Sequence, residues 1–290
     1  MSSADTMQTS KFRKMQQSIH RWLWHNTSNE KSISQSYILE DQTFYLVRQC
    51  CFAIALLTWT MSQLDSRHAI ITNFQYLTEW GVNLTVVYFA LSLRIMKDHK
   101  FAEKYWKITH VIFEIVYSAE FIITAMYWGA IYQTIKREKD AYYLTLTSLE
   151  HGGMFVLLII DNIFNRIKFY KRHLIYLISF IIFYLTINLT VTLCFEPVYA
   201  IIDWKSKESH IFATVALLST VFHFVIARII YELFKKKKVE KTVVADDYFF
   251  TDKPFQLTHI NKALENKFVW WVLIISVSMM VLSTIITAEY

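Results

Sequence analysis

Seven apolar runs, each long enough to cross a bilayer as a helix, constrain the fold of this chain more than any other feature. A membrane-spanning helix needs roughly 20 predominantly apolar residues. A soluble helical bundle would instead show a polar stripe along each helix, and stretches such as "WWVLIISVSMMVL" have none. The pattern therefore predicts an all-α, polytopic membrane helix bundle. The runs cover residues 45–63, 74–96, 106–133, 142–164, 173–195, 209–234 and 268–288.

The polar connections divide the chain into four predicted segments. Residues 41–234 form a six-span membrane core, 235–266 a polar basic loop, and 267–290 a seventh, C-terminal transmembrane helix. Residues 1–40 precede the core and contain "KFRKMQQSIHRWLW", whose apolar side chains share one helical stripe with the basic residues off it. That pattern predicts an amphipathic helix that lies in the headgroup region.

The distribution of Lys and Arg predicts the orientation in the membrane. Most of the 30 basic residues lie before the first run and after the second, fourth and sixth runs. Because Lys and Arg concentrate in loops that are not translocated, the N-terminus should face the cytoplasm or the mitochondrial matrix, with the C-terminus opposite. The endomembrane system, the plasma membrane and the mitochondrial inner membrane all stay open. The run "KKKK" at 235–238 is interpreted as a contact with lipid headgroups, not with nucleic acid.

The cysteines indicate neither a disulfide framework nor a metal site. Cys50, Cys51 and Cys194 all fall in apolar runs, without the spacing of a ligand set. We therefore expect no cofactor and no metal. Haem ligation by His151 and His223 is a weaker alternative, since neither residue lies in a supporting motif.

Ionisable residues inside the apolar runs should face the bundle interior, because a charge in the hydrocarbon region is costly. Glu114, Asp161 and Arg228 all fall in the halves of their runs nearest the basic side. Their shared depth predicts a structural ion pair or triad.

The opposite half of the membrane combines a threonine, a histidine and all 4 glycines of the chain. Thr78 lies about 4 residues into its run and His151 about 9, or roughly 6 and 14 Å deep at the rise of a helix, within reach of each other. Small residues let helices approach closely or leave room for a ligand. We therefore predict a pocket with His151 on its wall. Alternatively, His151 is a packed side chain bonded to Thr147 one turn back. The predicted lining is Gly81, Asn83, Gly129, Gly152 and Gly153.

Four motifs in fixed order give the chain a family resemblance. "QYLTEWGVNLTVVYFAL", "FIITAMYWGAIY", "LTSLEHGGMFVLLIIDN" and "PVYAIIDW", within residues 45–234, resemble the androgen-induced membrane protein family. Its relatives include the androgen-dependent TFPI-regulating proteins and the rolling stone proteins. The resemblance implies an intramembrane hydrolase of lipid esters, including fatty acid esters of hydroxy fatty acids. It also implies a catalytic pair, Thr78 in "YLT" and His151 in "EHG".

The chemistry of this pair is consistent with ester hydrolysis. A threonine hydroxyl becomes a competent nucleophile when a base takes its proton, and a neutral imidazole can be that base. His151 would then return the proton as an acid. Asn83 or a tyrosine hydroxyl are the candidate donors to the oxyanion.

Departures from the family pattern keep a second interpretation open. Glu79 follows the threonine and Glu150 precedes the histidine. The "HGG…IIDN" and "YAIIDW" portions also look closer to the rolling stone branch, for which no catalysis is implied. On this interpretation the protein is a catalytically inactive accessory subunit of a large membrane complex, such as a mitochondrial inner-membrane respiratory assembly. Membrane lipids are expected partners in both cases, and nucleic acid in neither.

Overall fold

The computed structural model describes residues 3–25, 29–64, 75–137, 139–199 and 202–249. The described residues form helices and short connections, with two isolated bridges and no β-strand among them. The predicted all-α class is therefore confirmed. The helices are α1 Ser3–Trp24, α2 Lys31–Ser34, α3 Asp41–Leu64, α4 Leu77–Lys97, α5 His99–Met126, α6 Tyr132–Ile135, α7 Ala141–Ser148, α8 Met154–Phe164, α9 Leu174–Cys194, α10 Lys207–Ile230 and α11 Lys236–Phe249.

Three π-helical turns join helices that would otherwise be separate. Tyr127–Ile131 connects α5 to α6, Leu149–Gly153 connects α7 to α8, and Tyr231–Lys235 connects α10 to α11. A π turn accommodates one extra residue in a continuing helix and is rare, with a tendency to occur at functional sites.

Five described helices are long and apolar enough to cross a membrane, which is typical of an integral membrane protein. The predicted second span forms α4, whose 21 residues include Glu79, Arg94 and Lys97, and it is not among these five. It packs against α3 and α5, so polar side chains on α4 can face protein instead of lipid. The predicted seventh span, 268–288, lies outside the described residues. The five helices are Asp41–Leu64, His99–Gly129, Ala141–Phe164, Lys171–Cys194 and Lys207–Thr242.

The predicted loop at 235–266 is wrong in its first half. Residues Lys236–Phe249 are helical and continue α10 through the π turn. The segment "KKKVEKTVVADD" has no Gly or Pro to stop a helix, and Lys and Glu are good helix formers. Lys235 is also not at the lipid surface, because its ammonium group is buried and donates to the Asn162 carbonyl at 2.6 Å.

The N-terminal helix α1 forms as predicted, and its C-terminal end is attached to the bundle. Met15, Ile19 and Trp22 on the apolar stripe are about half exposed. The Arg172 guanidinium donates to the Trp22 carbonyl at 2.6 Å, and His173 Nε2 donates to the Leu23 carbonyl at 3.2 Å. The end of α1 therefore rests on the segment that begins α9.

The predicted triad of Glu114, Asp161 and Arg228 does not form, because each group has a different partner. Asp161 is fully buried and accepts from the Arg48 guanidinium, with its Nε at 2.6 Å and its Nη2 at 3.2 Å. Arg48 also donates to the Ile33 carbonyl at 2.5 Å. This buried pair ties α3 to α8 and to the short helix α2.

Glu114 and Arg228 bond instead to the segment between α8 and α9. Glu114 Oε2 accepts from His173 Nδ1 at 2.6 Å, and Oε1 accepts from the Tyr170 amide at 2.9 Å. Arg228 donates to the Phe169 carbonyl at 2.9 Å. The sequence predicted a shared depth for these groups, but the irregular segment between α8 and α9 supplies the partners of Glu114 and Arg228.

Candidate functional site

Thr78 and His151 lie in contact at the end of the bundle opposite the basic connections. The Thr78 Oγ1 and His151 Nε2 atoms are 3.1 Å apart. Thr78 belongs to the first turn of α4, and His151 to the π turn Leu149–Gly153. The structure thus brings together the two residues that the motif resemblance pairs.

The second nitrogen of His151 defines the tautomer of the neutral ring. His151 Nδ1 lies 2.7 Å from the Thr147 carbonyl oxygen. A carbonyl oxygen only accepts, so Nδ1 carries a proton, and in the neutral ring the Nε2 lone pair faces Thr78, whose hydroxyl donates. His151 therefore makes both contacts that were expected as alternatives. One is the bond to Thr147 expected of a packed histidine, and the other is the bond to Thr78 expected of a base. With both nitrogens bonded to protein, the haem alternative has no free ligand atom on His151.

The sequence "EHGG" lies in the π turn Leu149–Gly153, where amides bond to the carbonyl five residues back instead of four. The His151 side chain bonds to the Thr147 carbonyl four residues back. The Thr124 hydroxyl donates to the His151 carbonyl at 2.5 Å and ties the turn to α5.

Tyr127 fixes the plane of the imidazole. Its ring stacks on His151 with centroids 4.2 Å apart and an interplanar angle of 23°. Its hydroxyl lies 2.9 Å from Thr147 Oγ1. The imidazole is thus held by a stacked ring and by hydrogen bonds at both nitrogens, so little reorganisation separates this geometry from a reactive one.

The pair stands on the wall between two cavities of different character. The apolar chamber, about 60 Å³, is lined mainly by aliphatic and aromatic side chains of α4, α5, α9 and α10. The polar chamber, about 250 Å³, is lined mostly by residues with hydroxyl or carboxyl groups at the neighbouring ends of α3, α4, α6 and α7. The residues common to both walls are Thr78, Ile131, His151 and Tyr199.

Tyr199 is a residue of the site that sequence reasoning did not single out. It precedes α10, lines both chambers beside Thr78, and its hydroxyl accepts from the Leu77 amide at 3.1 Å. It stands in the quoted motif "PVYAIIDW", but no spacing rule places a loop residue next to the start of α4. A tyrosine hydroxyl was one of the two candidate oxyanion donors, and Tyr199 is the tyrosine in that place.

Asn83, the other candidate donor, points elsewhere. Its side-chain oxygen accepts from Trp59 Nε1 at 2.9 Å, and its nitrogen donates to the Glu79 carbonyl at 2.6 Å. Asn83 therefore links α3 to α4 on a different face of α4. None of the five predicted lining residues is among the described residues that line either chamber: Gly81, Asn83, Gly129, Gly152 and Gly153.

Two of the glycines serve close packing beside the site. A β-carbon on Gly81 would overlap the carboxyl group of Glu120, and one on Gly152 would lie 3.1 Å from Nε1 of Trp128. A β-carbon on Gly129 would meet no described atom within 4 Å, and Gly129 is exposed. Close approach is therefore the role of Gly81 and Gly152, and no neighbour explains Gly129.

Replacing Gly81 with alanine should lower the free energy of unfolding by about 1–3 kcal/mol, as overpacking does. Glu120 is fully buried, and within the described structure its carboxyl group has no hydrogen-bond partner, so it must shift inside a packed core. Gly129→Ala is the matched control, and it should be neutral or stabilise by up to about 1 kcal/mol. Thermal unfolding in detergent micelles measures both, and equal midpoints would contradict the packing role of Gly81.

One cluster outside this site has side chains of the metal-ligand type. His110, Glu114 and His173 are buried, and their ligand atoms lie within 4.8 Å of one another. Glu114 accepts from His173 and from the Tyr170 amide, and His110 Nε2 donates to the Lys168 carbonyl at 3.0 Å. These bonds give most of the cluster protein partners, while the buried His110 Nδ1 has none in the described structure.

The chain matches no protein-family model, no curated protein and no solved structure, so the function rests on the geometry of the site itself.

Proposed function

We propose that the protein is an integral membrane hydrolase of lipid esters, with Thr78 as nucleophile and His151 as general base. The observation that carries this proposal is the 3.1 Å contact between Thr78 Oγ1 and Nε2 of His151, on a wall shared by an apolar and a polar chamber. A nucleophile bonded to an oriented base is the minimal arrangement for covalent catalysis of acyl transfer.

The reaction proceeds in two steps at this pair. Thr78 Oγ1 attacks the ester carbonyl carbon while its proton passes to His151 Nε2. The tetrahedral intermediate collapses, the carbon–oxygen bond to the alcohol breaks, and the leaving oxygen takes the proton from His151. In the second step, water gives a proton to His151 and attacks the carbonyl carbon of the acyl-threonine. The bond from that carbon to Thr78 Oγ1 breaks, Oγ1 takes the proton from His151, and the fatty acid is released.

The two chambers suit the two products of such a reaction. The acyl chain would enter the apolar chamber, whose polar lining residues include Thr78 and His151. The alcohol and the water fit the polar chamber. Tyr199 lines both and is the side chain placed to donate to the oxyanion, which preorganised donors stabilise strongly.

The membrane arrangement and the family are parts of the same proposal. The five apolar helices and α4 would form the six-span core, and exposed apolar side chains such as Phe183, Leu218 and Phe222 would contact lipid. The basic connections would face the cytoplasm or the matrix. The Thr78–His151 contact supports membership of the androgen-induced membrane protein family, since the motif resemblance assigns catalysis to these two residues.

Labelling with a serine- and threonine-directed fluorophosphonate probe tests the activity. The purified protein should form one adduct, and mass spectrometry should place it on Thr78. Thr78→Ala should lose the adduct. Thr85→Ala is the matched control, because Thr85 is buried two turns further along α4 without a partner for its hydroxyl in the described structure.

Failure of the test has a defined meaning. Unchanged labelling of Thr78→Ala would remove Thr78 as the nucleophile. A protein that is not labelled at all and that migrates in a large complex on a native gel would support the accessory-subunit interpretation.

A further inference from the structure

We propose that the polar chamber selects lipid esters whose alcohol part carries no negative charge, with a glycerol ester as the class that fits. The proposal rests on the proposed function, because it assigns the alcohol part of the substrate to this chamber. It departs from the expected fatty acid esters of hydroxy fatty acids, whose alcohol part ends in a carboxylate.

Two acidic side chains face the polar chamber next to the reacting pair. Glu79 directly follows Thr78, Glu150 directly precedes His151, and both line this chamber but not the apolar one. No Lys or Arg is among the described residues on the chamber wall. Lys139 lies over the ring of Tyr143, 5.5 Å from its centroid, but is not part of the lining.

The hydrogen bonds of Glu79 are those of a carboxylate. Its Oε1 accepts from the Ser62 hydroxyl at 2.8 Å, and its Oε2 accepts from the Gln63 amide at 3.1 Å. An ionised carboxyl accepts at both oxygens, as these two bonds allow. In that state Glu79 places a negative charge on the wall, in partly buried surroundings where charges interact more strongly than in water.

A carboxylate on the substrate would meet like charge in this chamber. Juxtaposed like charges suppress wrong partners, and selection by repulsion is as effective as selection by attraction. A glycerol hydroxyl carries no charge and is not repelled by these acids. It can donate to Glu79 or Glu150 and can exchange hydrogen bonds with the hydroxyl groups on the same wall, such as those of Tyr76, Tyr143 and Thr147.

The decisive substrates differ in charge alone. A palmitoyl ester of hydroxystearic acid and its primary amide have the same acyl chain, the same ester bond and the same length. In neutral detergent, the wild-type protein should hydrolyse the amide with a kcat/KM about 10-fold or more above that of the free acid, given the like charge of Glu79 near the site. Monopalmitoylglycerol should be hydrolysed at least as well as the amide.

Neutralising either glutamate of the polar chamber should reduce the preference for the amide over the acid. Glu79→Gln and Glu150→Gln should each lower the amide-to-acid ratio, mainly by raising kcat/KM for the acid. Glu196→Gln is the matched control, because Glu196 is an exposed acid in the connection before α10 and does not line the chamber. It should leave the ratio unchanged. If one of the two glutamine variants does not fold, the other variant tests the prediction.

The outcomes separate this inference from the proposed activity. Equal hydrolysis of acid and amide, or a ratio that both glutamine variants leave unchanged, would overturn the charge selection and leave the hydrolase intact. Hydrolysis of none of the three esters would overturn the activity. Thermal stabilisation of Thr78→Ala by the amide but not by the acid would support the selection independently of turnover, and equal stabilisation by both would overturn it.

Discussion

Replacing Arg48 with methionine is expected to lower the free energy of unfolding by about 3–5 kcal/mol, the cost of leaving a buried charge without its partner. Arg48 and Asp161 are both fully buried. The guanidinium donates twice to Asp161 and once to the Ile33 carbonyl. Without it, Asp161 would keep only the Tyr88 hydroxyl and the Asn165 amide as donors. Thermal or denaturant unfolding in detergent, followed by tryptophan fluorescence, measures the loss.

An exposed ion pair provides the control for this experiment. Arg94 lies 3.1 Å from Asp98, with 62% and 36% of the two side chains exposed. Arg94→Met should therefore change stability by no more than about 1 kcal/mol. The double variant Arg48→Met with Asp161→Leu should recover part of the loss, because neither member of the pair is then left as an unpaired charge. Equal effects of Arg48→Met and Arg94→Met would show that the buried pair contributes nothing.

The positions of the long helices could be predicted because bilayer thickness sets their length. The runs at 142–164 and 173–195 correspond to the helices Ala141–Phe164 and Lys171–Cys194 within a few residues. The polarity of a segment was a poorer guide to its secondary structure. Residues 236–249 are polar, and they are helical nevertheless, since nothing in their backbone chemistry ends the preceding helix. A polar composition indicates where a segment lies relative to lipid, not whether it is helical.

The candidate site shows where prediction from depth stops. Depth along two helices placed Thr78 and His151 at compatible levels, and the structure has them in contact. Depth says nothing about rotation around a helix axis. Gly81 is one turn from Thr78 but packs on Glu120, away from both chambers. Asp161 likewise pairs with Arg48 and not with Arg228, because neighbouring helices and their rotation select the partner.

Two features of the site had only an indirect signal in the sequence. Tyr199 reaches it from a connection between helices. The π turn depends on the competition between helical registers, which residue pattern alone does not resolve. The unusual "EHGG" was nevertheless a useful indication, since it marked the one place in that run where the regular helix is interrupted.

The largest functional effect should come from either member of the reacting pair, and the two effects should not add. Thr78→Ala and His151→Ala should each lower kcat for a lipid ester by at least about 10³-fold, as residues that act as one unit do. The double variant should be no slower than the slower single variant. Hydrolysis in neutral detergent, corrected for the uncatalysed rate, provides the three values.

The double variant separates catalysis from packing, the two interpretations of His151 that its sequence position allowed. A base has nothing to do once the nucleophile is gone, so removing His151 from Thr78→Ala should cost no further activity. If His151 only supported the fold, its removal would instead reduce residual activity and stability by the same amount in either background. If the activity losses of the two single variants multiply in the double variant, the 3.1 Å contact is a structural hydrogen bond only.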